Sequence, residues 1–187
     1  PETELMVEKL VKIFKGNKTS ILDIGTGSGC ILISLLSELD NSKGVGIDIS
    51  KKAIAVAKKN AKKHNNIKDI MFFNKSIDSK FNQKFDLIVS NPPYIKSEDI
   101  ENLSDDIKKY EPKIALDGGN DGLDLIKKVI YKTRYILNFK GMLALEIGNE
   151  QHKKVSKILI ENNFRIEHLI NDYKNNVRCI ISTYLKK

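Results

Sequence analysis

The chain has 187 residues, 41% hydrophobic and 30% charged, with 11 glycines and two cysteines. This is the make-up of one globular domain with a true core, and it excludes a disordered tail, a disulfide scaffold and a C-x-x-C zinc or redox motif. The net charge of +8 favours polyanions, but only Arg134, Arg165 and Arg178 are arginines, so the charge reads as a lysine-rich surface rather than a nucleic-acid groove.

The opening at Pro1, with no leader before the pattern, predicts a cut through a longer protein. No apolar run reaches the length of a membrane span, and the expected setting is reducing and cytoplasmic. Residues Glu2 to Phe14 read as an amphipathic helix, with Leu5, Met6, Leu10 and Ile13 near a 3.6 period, ended by Gly16 and Asn17. Ser20 to Ile24 is a short apolar strand, followed by a glycine turn and an apolar helix from Cys30 to Leu39. Gly44 to Ile49 is a second strand, and Ser50 is an N-cap for a helix running to about Lys63. Strands follow at Ile70 to Phe73 and Phe85 to Ser90, the latter continuously apolar and therefore buried on both faces. A long polar segment from Asn91 to about Asp121 contains Pro92, Pro93 and Pro112. Then come a helix from Leu123 to Leu137, a strand from Met142 to Ile147 and a helix from Gln151 to Glu161. Two last strands, Phe164 to Ile170 and Val177 to Tyr184, have no helix between them and should pair antiparallel. The fold class expected is α/β: a doubly wound, mostly parallel seven-stranded sheet, with helices on both faces and an antiparallel C-terminal pair.

Three glycines, Gly25, Gly27 and Gly29, stand directly after the first strand in ILDIGTGSG. Glycine permits a sharp turn and close approach of a ligand, and the next helix offers free N–H groups. The spacing is G-x-G-x-G, not the G-x-G-x-x-G of dinucleotide binders, and a tight connection without ligand gives the same pattern. Asp48 ends the second strand, where an acid accepts hydrogen bonds from ribose hydroxyls. NAD and S-adenosylmethionine both carry that ribose. Asp48 also suits a helix N-terminus with no ligand at all. Asp23 precedes the turn and can meet a cationic ligand group or cap the loop. Two acids tilt the choice towards a sulfonium with an amino-acid ammonium.

Asn91-Pro92-Pro93-Tyr94 follows the fourth strand at once. Each proline fixes φ and lacks an N–H, so the carbonyls of Asn91 and Pro92 stay free to face a cleft. A planar NH2 group needs two acceptors, which the Asn91 side-chain oxygen and the Pro92 carbonyl supply. Tyr94 can lie flat against an amide or a base. Such a set orients a weak nitrogen nucleophile, a contribution of about 7–11 kcal/mol in well-held geometries. A rigid turn is the plainer alternative.

These stretches resemble the class I S-adenosylmethionine-dependent methyltransferases of planar nitrogens. The resemblance is closest to the HemK/PrmC type, which methylates a glutamine side-chain amide in peptide chain release factors. It is carried by PETELMVE at Pro1–Glu8, ILDIGTGSG at Ile21–Gly29, SNPPYI at Ser90–Ile95, YEPKIALDGGNDGLD at Tyr110–Asp124 and LALEIGNEQ at Leu143–Gln151. It implies S-adenosylmethionine as cofactor and S-adenosylhomocysteine as product, with a release factor as protein partner. It further implies that Asp23, Gly25, Thr26, Gly27, Ser28 and Gly29 cradle the donor, that Asp48 holds its ribose and that Asn91 faces it. Asn91, Pro92 and Tyr94 are then catalytic by orientation, and Pro93 completes the amide site. Where the family places an acid and an apolar residue beside adenine, this chain has Ser76 and Ile77. A helical substrate-recognition domain precedes the catalytic domain in the family, so residues 1–187 correspond to the catalytic domain alone.

Glu146 ends the fifth strand, where a cleft role and a solvated strand end are equally open. Asp117, Gly118 and Gly119 are expected to shape the cleft. His64, His152 and His168 match no metal spacing, so no metal is expected. Cys30 is expected in the core, and Lys174 and Arg178 on the surface. Two rivals stand beside the amide reading: a nucleic-acid amino methyltransferase, favoured by the charge, and a nucleotide-binding module or NAD enzyme.

Overall fold

The structure, a computed structural model, describes residues 2–64, 69–103, 112 and 115–186. Pro1 and residues 110, 111, 113 and 114 of the stretches quoted above lie outside the described residues. Seven strands form one sheet: β1 (Ser20–Ile24), β2 (Lys43–Asp48), β3 (Ile70–Asn74), β4 (Phe85–Ser90), β5 (Leu137–Glu146), β6 (Phe164–Asn171) and β7 (Val177–Tyr184). Their spatial order is β3-β2-β1-β4-β5-β7-β6. The first five are parallel, and β7 pairs antiparallel with both β5 and β6. The strand order therefore reverses between β1 and β4, the place where open α/β sheets leave a crevice at their carboxyl ends.

Among the described residues, five α-helices cover the sheet: α1 (Glu2–Phe14), α2 (Cys30–Glu38), α3 (Lys51–Ala61), α4 (Asp124–Ile136) and α5 (His152–Glu161). Alternation along the central strands feeds two cores. Ile21, Leu87, Val89, Ala144 and Cys179 face α1, α2 and α3. Leu22, Ile24, Ile88, Leu143 and Leu145 face α4 and α5. This two-sided burial is why β1 and β4 read as unbroken apolar runs. The Ser50 cap forms, its hydroxyl accepting from the Ala53 N–H at 3.2 Å.

Most boundaries fall within one residue of the sequence expectation, and three differences are larger. The fifth strand starts at Leu137 rather than Met142, because the chain leaves α4 straight into pairing with Phe85 and then passes a register shift. Lys140 takes a positive φ of 62° within that stretch, which disguises the strand in sequence. The third helix ends at Ala61, and Lys62 and Lys63 form a turn. Within the polar segment, a 3-10 turn spans Ser97–Asn102 and buries Ile100, and Ile95 bridges Asp117.

Leu87 is completely buried in the α1–α3 core between β1 and β5. Leu87→Ala is expected to lower unfolding free energy by about 2–5 kcal/mol, as read from urea denaturation, through lost contacts and a residual cavity.

Candidate active site

The glycine turn leaves β1 and is pinned to β2. The N–H groups of Gly25 and Thr26 both donate to the Ile47 carbonyl, at 2.9 and 3.0 Å. Gly29 closes the turn onto the Thr26 carbonyl at 2.8 Å with φ of 81°. A Cβ there would press on Phe72, Ala57 and Ile33 within 3.2 Å, so only glycine fits both the backbone and the space. Gly25 also has a positive φ, of 70°, but faces open space with nothing within 4 Å of a Cβ direction. Ser28 is exposed at the tip, and its carbonyl accepts from the Asn60 side chain of α3 at 3.0 Å.

Two acids flank this turn in opposite circumstances. Asp23 is fully buried under the start of α2, and one of its oxygens accepts from the Thr26 hydroxyl at 2.6 Å. Its other oxygen has no hydrogen-bond partner. Burial pushes its pKa up to about 7, against the pull of the Thr26 bond. Asp48 is half-buried at the mouth, its oxygens accepting from the Gly27 N–H at 3.0 Å and the Ser50 N–H at 2.8 Å. Each oxygen retains a further lone pair for a ligand hydroxyl. Beside it, Ile49 is 57% exposed, while Ser76 is half-buried and turned to Asp78 at 3.2 Å. Ile77 is only 6% exposed and belongs to the α4–α5 core. Ile49, an apolar residue directly after a strand-end acid, is not among the candidates that the sequence singles out.

Asn91 to Tyr94 emerge next to that turn, because β1 and β4 are paired neighbours. The Ser90 hydroxyl donates to the Ile24 carbonyl at 2.7 Å and ties the two carboxyl ends together. Asn91 is exposed, Pro92 buried, and Pro93 and Tyr94 half-buried. The Tyr94 carbonyl accepts from the Gln151 amide at 3.0 Å, and the Tyr94 hydroxyl accepts from Arg178 at 3.1 Å. Gln151 in turn accepts from the Gly148 N–H at 2.8 Å. The Gly118 N–H donates to the Ile95 carbonyl at 2.7 Å, so the Asp117–Gly119 loop pins the segment that follows the prolines. Burial and the nearby Glu146 charge push the Tyr94 phenol above its ordinary pKa, while Arg178 opposes them.

Two sequence expectations are corrected. Arg178 is half-buried, clamped by Tyr94 and by the Ile147 carbonyl at 3.2 Å, because antiparallel pairing brings the start of β7 to the carboxyl end of β5. Cys30 is exposed although Ile31, Leu32 and Ile33 of the same turn are buried in the core, so it stands on the outward side of α2. Gln151 is legible in sequence as the start of a helix and the end of the stretch LALEIGNEQ, but its bond to the Tyr94 carbonyl is not. Glu146 is buried beside this cluster rather than solvated. Among the described residues, no group of three or more His, Cys, Asp or Glu could hold a metal ion.

Residues 1–109 match the family model of the methyltransferase small domain. The chain belongs to that family. Release factor glutamine methyltransferase of Fusobacterium nucleatum is 42% identical over 184 residues, spanning 97% of this chain and 52% of that protein. The namesake of Thermodesulfovibrio yellowstonii is 39% identical, spanning 92% of this chain and 63% of that protein. The chain thus spans about half to two-thirds of the length of these curated relatives. Ribosomal protein L11 methylase of Lactobacillus delbrueckii superposes with a TM-score of 0.72 at 21% identity, covering 98% of this chain and 79% of that one. The fold is the class I Rossmann-like methyltransferase fold. No helix among the described residues is long and apolar enough to cross a membrane.

Asp23 gives a pH test of this site. Its folded pKa of about 7 lies above the ordinary 3.8, so the unfolded chain gives up its proton first as pH rises. This group therefore withdraws stability between about pH 4 and pH 7 and restores it on acidification. Asp23→Asn keeps an acceptor for Thr26 and is expected to gain stability over wild type on going from pH 4 to pH 7.5, by on the order of 2 kcal/mol. Paired urea titrations at the two pH values check it; an unchanged difference would contradict the burial argument.

Proposed function

We propose that this chain carries the catalytic site of a cytoplasmic enzyme that methylates a glutamine side-chain amide in peptide chain release factors, with S-adenosylmethionine as donor. The observation that carries the reading is the adjacency of two motifs at the strand-order reversal, the glycine turn after β1 and Asn91-Pro92-Pro93-Tyr94 after β4, tied by the Ser90–Ile24 bond. The names and extent of the relatives support the substrate class.

The residues suit a sulfonium donor that carries a ribose and an ammonium. Open space over Gly25, the spare lone pairs of Asp48 and the unpartnered oxygen of Asp23 are room and acceptors that suit a positively charged donor. Gly25 to Gly29 would hold the donor along the turn, Asp48 its ribose, and Ile49 with Ser76 and Ile77 the adenine end. When bound, S-adenosylmethionine supplies an electrophilic methyl group on sulfur.

On the acceptor side, a glutamine amide has two N–H groups and weak nucleophilicity. The Asn91 side-chain oxygen and the Pro92 carbonyl accept those two N–H groups, and the prolines prevent the backbone from turning its carbonyls into a helix. Tyr94, held by Arg178 and Gln151, offers a flat wall for the amide plane. No strong base is required before transfer, because alkylation itself acidifies the nitrogen. Orientation is the main contribution.

Mass spectrometry of a purified release factor after incubation with S-adenosylmethionine and the full-length protein is expected to show one added methyl on a glutamine. Asn91→Ala is expected to lower kcat about 100-fold or more while the donor's Kd stays within about twofold. Asp48→Ala is expected to weaken donor binding at least about tenfold by calorimetry, as a charge-assisted pair is lost. Methylation of nucleic acid in place of the release factor would overturn the substrate assignment.

A further inference from the structure

We propose that Glu146 fixes which way round the Asn91 amide is presented, so that its oxygen rather than its NH2 group meets the substrate. The proposal deepens the function above and rests on Asn91 acting as an amide acceptor.

The sheet register sets the two residues side by side. Ser90 pairs with Leu145 in the parallel β4–β5 ladder, so the next residues along, Asn91 and Glu146, are neighbours at the carboxyl end. Val89 and Ala144, two positions earlier, both face the α1 side of the sheet, which gives Asn91 and Glu146 the same parity. Glu146 is almost fully buried, whereas Asn91 is exposed to the cleft. The Thr3 hydroxyl of α1 donates to one Glu146 oxygen at 2.5 Å. That bond leaves the remaining carboxylate lone pairs for β4. Among the described residues, Glu2 of α1, Tyr94, and Arg178 and Cys179 of β7 are the other titratable or charged groups around it.

The chemistry of the two side chains settles the rest. A carboxylate only accepts, while an asparagine carries NH2 at one end and a carbonyl oxygen at the other. Which end is which is decided by hydrogen-bond partners rather than by shape. Beside a carboxylate the NH2 must turn inward, and the oxygen is then directed out to the cleft. Donation from Asn91 indeed opposes the upward push that burial exerts on the Glu146 pKa. A substrate NH2 group needs that outward oxygen. With the amide reversed, two NH2 groups would face each other. Glu146 is thus a positioning residue, acting through Asn91, and Thr3 holds it in place.

Glu146→Gln preserves shape but offers an NH2 group to the Asn91 oxygen, which permits the reversed amide. In the full-length protein, with a purified release factor and S-adenosylmethionine, E146Q is expected to lower kcat at least tenfold with donor Kd within twofold. In an Asn91→Ala background the same change is expected to cost less than twofold, because no amide remains to orient. A general structural role would cost the same factor in both backgrounds, and that result overturns the proposal. So does E146Q with wild-type kcat while Asn91→Ala is inactive. Full activity of Asn91→Ala would instead remove the acceptor reading itself, and the proposal with it. Should E146Q fail to fold, Thr3→Val on half-buried α1 decides. A kcat lowered about threefold only when Asn91 is present supports the proposal, and a wild-type kcat overturns it.

Discussion

The parallel pairing of β1 with β4 is the constraint on which the rest of this molecule depends. Each strand ends in a motif that has little meaning alone: a glycine turn, and a pair of prolines. Pairing brings their carboxyl ends together, and the buried bond from Ser90 to the Ile24 carbonyl locks them at 2.7 Å. A buried donor and acceptor that lost each other would cost about 1–3 kcal/mol, so this junction resists sliding. The helices serve it from both faces, since β1 and β4 alternate their apolar side chains between the two cores. A one-residue slip would turn every such side chain to the wrong core and separate the motifs.

Three acids near this junction show how burial and partners divide labour. Asp48 sits at the mouth with backbone N–H groups on both oxygens, which keeps it in place. Asp23 lies fully buried, and burial outweighs the pull of the Thr26 hydroxyl and the Leu32 N–H, so its pKa is pushed up to about 7. Glu146 is buried as well but receives Thr3 and lies near Arg178, which offsets part of the desolvation. The same residue chemistry is thus tuned by neighbours from distant parts of the chain.

Local pattern was enough to read the strands and helices, because apolar runs and 3.6 periods are properties of short windows. It was enough for Ser50 as a cap and for the adjacency of the two motifs, since βαβ handedness and strand order restrict the topology. It failed where a side chain's surroundings come from far away. The Arg178–Tyr94 bond joins residues 84 apart and the Gln151–Tyr94 bond residues 57 apart, and neither partner carries a local mark of the other. Cys30 differs for another reason: an apolar helix suggests burial all round, yet Cys30 is exposed while Ile31, Leu32 and Ile33 beside it are buried. The family resemblance named the stretches LALEIGNEQ and PETELMVE without saying why they matter. The structure brings residues from both, Glu146, Gln151 and Thr3, to the back of the proline segment.

The antiparallel end of the sheet follows from this need. A parallel last strand would place its start at the amino ends of β4 and β5, remote from the cleft. Running β7 the other way sets its first residues beside the last residues of β5, with Cys179 opposite Glu146. Arg178 is then delivered to the Tyr94 hydroxyl and the Ile147 carbonyl, where its charge also tempers Glu146. Inserting β7 between β5 and β6 buries it on both faces, so the arginine stands on a rigid strand rather than on a loop. A site that works by orientation, as proposed for this one, gains most from such rigidity, because a misplacement of about 1 Å can cost a hundredfold in rate. The reversed strand is therefore part of the scaffold behind the proline segment, which it holds through Arg178 and the Tyr94 hydroxyl.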